Sequence, residues 1–110
     1  MADPEKPKFM TSAADPVRVI ASFKARPGQE GALRQVLESL IAPTRSELGC
    51  IEYVLYRDAA DPLHFVFDEL WANMPAFAMH SAMPYIQTLL PRIAMMISEP
   101  PRVEAFYKVA

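Results

Sequence analysis

Cysteine is almost absent from this chain. Cys50 stands alone among 110 residues, so no internal disulfide can form. A lone cysteine in a strand-like stretch reads first as a small buried hydrophobe and only second as a nucleophile. Histidine is nearly as scarce: His64 and His80 come with no Cys or His cluster, which argues against a bound metal. Gly28, Gly31 and Gly49 are the only glycines, and none stands in a phosphate-loop or dinucleotide pattern. No Ser-His-Asp arrangement can be read from spacing, so nucleotide cofactors and hydrolase triads lack support. The formal net charge is -2, and a weakly acidic protein lacks the basic field that nucleic-acid binding usually needs. No run approaches the roughly 20 consecutive apolar residues of a membrane span. The polar segment 1–16 carries three prolines and no apolar leader core, which predicts a cytoplasmic protein.

Apolar residues, by contrast, are plentiful. They make up 52% of the chain against 22% charged, enough for a real core in a single domain. Residues 1–16 read as a flexible N-terminal arm, and residues 17–110 as the domain. Val17 to Ala25 reads as a first strand, stopped by the turn residues Arg26-Pro27-Gly28. Leu33, Val36, Leu37, Leu40 and Ile41 then recur at helical spacing, with Pro43 bending the last turns and Gly49 ending the helix. Cys50 to Arg57 and Leu63 to Ala72 form an antiparallel hairpin across the Asp58–Pro62 turn. Asn73 caps a short helix with Pro75 in its first turn. A second helix follows from Pro84, with Ile86, Leu89, Leu90, Ile93 and Ile97 on one face and a kink at Pro91. Arg102 to Val109 is the last strand.

The order β-α-β-β-α-β predicts an α+β, ferredoxin-like domain with a four-stranded antiparallel sheet and its helices on one face. The other face should then be polar, yet it is not. Phe65, Phe67 and Trp71 fall on one side of the third strand, with Val66 and Leu70 on the other. In the second strand, alternation puts Ile51, Tyr53 and Leu55 on one side and Cys50, Val54 and Tyr56 on the other. An apolar sheet face of that size predicts a homodimer, with the arm as the bland alternative cover.

Glu69 shares the aromatic side of the third strand with Phe65, Phe67 and Trp71. A carboxylate there is costly unless paired, and Arg18, Arg45 and Arg57 are the expected partners. His80, near a helix end beside Met79 and Met83, reads either as a partial-core residue or as a proton carrier. The methionines read as core filler or as a pocket lining for a flat apolar ligand.

Several of these pieces occur together in one family. Arg26-Pro27-Gly28, the helix with Thr44-Arg45, Gly49-Cys50, Tyr53, Phe65-Val66-Phe67-x-Glu69-x-Trp71 and His80-x-x-x-Pro84-Tyr85 resemble the antibiotic biosynthesis monooxygenases over residues 17–109. The resemblance implies a dimeric α+β barrel with a pocket between sheet and helices. It implies oxidation of a quinol, an anthrone or a similar small aromatic substrate by dioxygen, with no metal, flavin or other cofactor. On that reading His80 moves the proton and Trp71 stacks on the ring with Phe65 and Phe67. Asn73 or Tyr53 holds a substrate oxygen. Glu69, Met83 and Tyr85 complete the binding set. Asp68 stands where many relatives carry an aromatic residue, and Leu48 where a Pro-Gly pair is common. No histidine follows His80, which speaks against the haem-degrading relatives. A non-catalytic dimeric barrel that binds a small ligand or acts in stress response, and an isomerase of a sugar-phosphate signal, are the other readings that this fold allows.

Overall fold

The computed structural model describes residues 12–110. Of the expected arm, residues 1–11 lie outside the described residues. Residues 12–16 form a turn, and the Ala13 carbonyl accepts from Met74 N–H at 3.2 Å.

The elements are β1 (Val17–Lys24), α1 (Glu30–Ser39), α2 (Ile41–Arg45), β2 (Cys50–Arg57), β3 (His64–Trp71), α3 (Met74–Ser81), α4 (Pro84–Met96) and β4 (Arg102–Phe106). The four strands form one antiparallel sheet in the order β2-β3-β1-β4, the ferredoxin-like arrangement expected from the element order. The helices cover one face. Val17, Val19, Ala21 and Phe23 of β1 and Phe65, Phe67 and Trp71 of β3 point into the core. Leu33, Val36 and Leu37 of α1 and Ile93 of α4 close over them.

Three sequence expectations are corrected. The first helical segment is not continuous to Gly49. It breaks at Leu40, because the ring of Pro43 cannot pass the carbonyl of Ser39 four residues earlier. Leu40 N–H closes a tighter turn onto the Leu37 carbonyl instead, and the second piece ends at Arg45. The strands are also shorter than their apolar runs. β1 stops at Lys24, with Ala25 making an isolated bridge to Ile97; β3 loses one residue at each end, and β4 stops at Phe106.

The third correction bears on the site. Cys50 pairs with Trp71 and Glu52 with Leu70, so the register shifts between Cys50 and Glu52. One extra residue, Ile51, is accommodated there as a bulge. Simple alternation therefore misplaces Cys50 and Ile51: Cys50 shares the inner face with Trp71, and Ile51 is half exposed. Gly49 precedes the bulge with φ +90°, and its carbonyl accepts from Ala72 N–H at 2.8 Å. A side chain there would be strained by the backbone alone.

The outer face mixes apolar and charged groups. Ile20, Val54, Val66 and Leu70 are half-buried, and Tyr56 and Phe106 are about half exposed. Among them Arg18 Nη1 holds Glu52 at 2.8 Å and Asp68 at 2.9 Å. Asp68 thus sits in an ion triad rather than facing the core. All five residues of the edge strand β4 are exposed.

Candidate active site

Between the inner sheet face and the helices lies a cavity of about 210 Å³. Its sheet wall is Ala21 and Phe23 from β1, Tyr53 from β2, Phe67 and Glu69 from β3, and Val103 from β4. Its roof is Leu40, then Phe77, His80 and Ser81 of α3, then Ile86, Leu89, Leu90 and Ile93 of α4. No arginine or lysine lines it.

The polar groups gather where β3 meets α3. Asn73 starts α3 by accepting from Ala76 N–H at 2.8 Å, with Pro75 in the first turn. Two helical turns later His80 faces back to the sheet and is buried. Its ring lies 4.7 Å from that of Trp71 and 5.7 Å from that of Tyr53. His80 Nδ1 lies 2.7 Å from Glu47 Oε2. A carboxylate only accepts, so Nδ1 carries the proton in this contact and Nε2 is left as the ring's open nitrogen. Glu47 is held in turn, because Tyr85 O–H donates to the same oxygen and lies 3.2 Å from Thr44 Oγ1. Burial, and then donation to Glu47, push the Tyr85 phenol up to about 12.

Glu69 has none of its expected partners. Arg18 is on the outer face with Glu52 and Asp68. Arg45 spends its guanidinium on the Tyr53 carbonyl, at 2.9 and 3.1 Å. Arg57 belongs to a surface groove of about 300 Å³ with Arg34 and Phe65. Strand alternation is the cause for Arg18, which pairs with Leu70 and so points away from Glu69. What Glu69 does have is Trp71 Nε1–H, donated to its Oε1 at 2.9 Å. Burial pushes the Glu69 carboxyl up to about 7, against that hydrogen bond, which pulls it down. Burial likewise raises Tyr53 and the Cys50 thiol, so Cys50 lacks the thiolate character of a nucleophile.

Of the residues singled out in the sequence, Tyr53, Phe67, Glu69 and His80 meet at the cavity. Tyr53 and Phe67 stack at 4.4 Å to make its floor. Trp71 is fully buried behind the wall, between His80 and Glu69. Asn73 is engaged as the helix cap, Tyr85 as the donor to Glu47, and Met83 as the residue that precedes α4. Phe65 lies toward the surface groove. Glu47 was not legible beforehand, and Thr44 entered only as part of the family resemblance. Glu47 sits in a turn with no periodicity, and only its contacts with His80 and Tyr85, 33 and 38 positions away, mark it.

Known proteins share this arrangement of chain. The family described as Antibiotic biosynthesis monooxygenase matches residues 16–91. The Mycobacterium tuberculosis protein Rv0793, named as a candidate monooxygenase, is 35% identical over 85 residues, covering 77% of this chain and 83% of that protein. Its solved structure superposes with a TM-score of 0.82 over 87% of this chain and 97% of that one. The Synechocystis protein sll1783 is 28% identical over 110 residues, all of this chain and 74% of that protein. The structure of SO0527 from Shewanella oneidensis is 31% identical, with a TM-score of 0.83 over 88% of this chain and 95% of that one. No helix among the described residues is long and apolar enough to cross a membrane. A match across most of the domain, and a relative more than one-third identical on the same fold, place the chain in the antibiotic biosynthesis monooxygenase family.

Proposed function

We propose that the chain is a cofactor-independent monooxygenase of a small, electron-rich aromatic, acting as a homodimer. One observation carries this reading: an apolar cavity holds a buried histidine whose Nδ1 is fixed by a buried carboxylate. His80 Nε2 takes the proton of a phenolic hydroxyl, which makes the ring a better electron donor. Tyr53, Phe67 and Phe77 hold the ring and exclude water. For a hydroquinone the sum is quinol plus dioxygen giving hydroxyquinone plus water. One oxygen atom enters the ring, the other leaves as water, and the ring supplies all four electrons. Trp71 and Asn73 act behind the wall, the first by packing on His80 and holding Glu69, the second by fixing the start of α3.

The cavity volume selects among substrates. Pockets for drug-sized ligands run to about 300–1,000 Å³, so this smaller cavity suits a one- or two-ring quinol better than a three-ring anthrone. A sugar phosphate would need fixed cations on the wall, and no arginine or lysine lines it. Dioxygen uptake over a panel of benzoquinols, naphthoquinols and anthrones tests the reading. Uptake well above the autoxidation rate is expected for the smaller quinols, with the hydroxyquinone as product. Uptake at the control rate throughout the panel would sink it. It would then favour the second reading, a ligand-binding barrel, which the predominantly apolar walls support.

The dimer would cover the outer sheet face and β4. Support comes from the apolar residues around the Arg18 triad and from an edge strand with no buried position. The native chain is expected to sediment at twice its 12.3 kDa mass, and Leu70→Glu to sediment nearer the monomer. A native monomer at micromolar concentration would refute this assembly.

A further inference from the structure

The cavity has a second polar group that the proton transfer to His80 does not use. Glu69 is 3% exposed, and its cross-strand neighbours are Val19 on β1 and Tyr53 on β2. Its Oε1 is occupied by the Trp71 indole N–H. Its Oε2 has no hydrogen-bond partner among the described residues. No fully buried side-chain oxygen among them lacks a partner, so Oε2 must keep its access to the cavity that Glu69 lines.

We infer that Glu69 meets the ligand as a neutral carboxylic acid and donates its proton, as a hydrogen bond, to an acceptor oxygen on the aromatic ring. The reason is electrostatic. An ionised carboxylate in an apolar wall needs a cation, and no arginine or lysine lines this cavity. The ionisable groups around Glu69 do not supply one either. β2 contributes the Tyr53 phenol and the Cys50 thiol, the turn before it Glu47, and α4 Tyr85. Asp68, next in sequence, adds a negative charge on the outer face. β1 and β4 present Val19, Ala21 and Val103. Arg45 of α2 spends its guanidinium on the Tyr53 carbonyl, and His80, from α3, has its Nδ1 already committed to Glu47. Burial holds the Glu69 proton to about neutral pH, consistent with this picture.

This role rests on the cavity being a site for an oxygenated aromatic, and it divides the work there. His80 removes a proton from one ligand hydroxyl. Glu69 gives a hydrogen bond to an acceptor oxygen, which is a quinone carbonyl or the phenolate that His80 creates. An ionised Glu69 would repel that phenolate, whereas the acid stabilises it, as neutral carboxylic acids do in some enol-forming enzymes. The site therefore favours ligands that present an acceptor oxygen at the Trp71 end, and it disfavours carboxylates and phosphates.

Binding tests this without turnover. The probe is 2,3-dimethyl-1,4-naphthoquinone, which carries acceptors only and whose ring positions are blocked against addition of Cys50. Trp71 is the only tryptophan, so its fluorescence, corrected for absorption by the quinone, reports on this wall. With a carboxyl that titrates about pH 7, the acid fraction falls about tenfold from pH 6 to pH 8, and Kd should rise about tenfold in the native protein. Glu69→Gln keeps a donor that does not titrate, so its Kd should be the same at both pH values. A native Kd that does not change with pH, or a Gln variant that keeps the slope, overturns the role of Glu69 and leaves the monooxygenase reading standing. No binding at pH 6 overturns both. If the variant fails to fold, carbon NMR of the native side-chain carboxyls decides. The Glu69 resonance should titrate close to neutrality, and a midpoint in the ordinary carboxylate range overturns the inference.

Discussion

With a quinol that the native protein oxidises, His80→Ala is expected to lower kcat by about 10²–10⁴-fold, the usual contribution of a positioned general base. The variant should still fold. His80 packs among Trp71, Tyr53 and Phe77 but is not the largest group of that cluster, and circular dichroism will show whether the fold persists. Glu47→Gln should lose about 10²-fold with His80 intact. An amide can still lie beside Nδ1, but it no longer selects the tautomer that leaves Nε2 open. Tyr85→Phe should lose only a few-fold, because it removes one of the two donors to Glu47 and leaves the histidine contact in place. The ranking His80 over Glu47 over Tyr85 is the signature of a base held by a carboxylate that is itself held. Full activity in His80→Ala would remove the proposed chemistry. Full activity in Glu47→Gln would leave His80 acting alone.

The largest expected loss of stability comes from Gly49→Ala. Two costs coincide there. Gly49 has φ +90°, where a side chain costs roughly 1–2 kcal/mol. A Cβ would also stand 2.6 Å from the Cβ of Ala76, which forces α3 outward at a further ~1–3 kcal/mol. A loss of about 3 kcal/mol lowers Tm by roughly 10–20 °C in a domain of this size. Gly28 separates the two costs. Its φ is +88°, but nothing lies within 4 Å of the place a Cβ would take, so Gly28→Ala carries only the backbone cost. Adding Ala76→Gly to Gly49→Ala should recover the contact portion, less about 1 kcal/mol for glycine inside a helix. A Tm within about 2 °C of native for Gly49→Ala would show that α3 yields freely and that the close approach is not a constraint.

How far each feature was legible depends on its range along the chain. β2 ends where its apolar run ends, and the inner face of β3 follows from alternation, because both signals are local. The Asn73 cap was legible for the same reason. The break at Leu40 was present in the sequence as Pro43, but a proline acts on the carbonyl four residues before it, so the interruption falls upstream of its cause. The bulge was hidden because Cys50 and Ile51 are both apolar, and either phase of the alternation satisfies the pattern. The environment of Glu69 needed the sheet itself. Arg18, Arg45 and Arg57 were the cations expected to pair with it, and each points elsewhere for a reason set by register or by a rival acceptor. Glu47 is the clearest omission. Its importance comes entirely from a partner on another element, and nothing in a four-residue turn announces that.

The link from Glu47 through His80 and Tyr85 joins a turn, α3 and α4, which approach one another only when the helical layer is seated on the sheet. Within that layer α3 and α4 are the less anchored part: they contribute one deeply buried residue each, His80 and Ile93, whereas α1 contributes three and β1 and β3 alternate buried positions along their whole length. Amides of the two helices should therefore exchange with solvent through local openings that leave the strands protected. Every such opening parts His80 from Glu47. If His80 is the base proposed above, turnover is expected to decline on warming with the population of seated helices, before the sheet melts. The rate of reaction would then serve as a thermometer of one layer of the molecule and not of the whole.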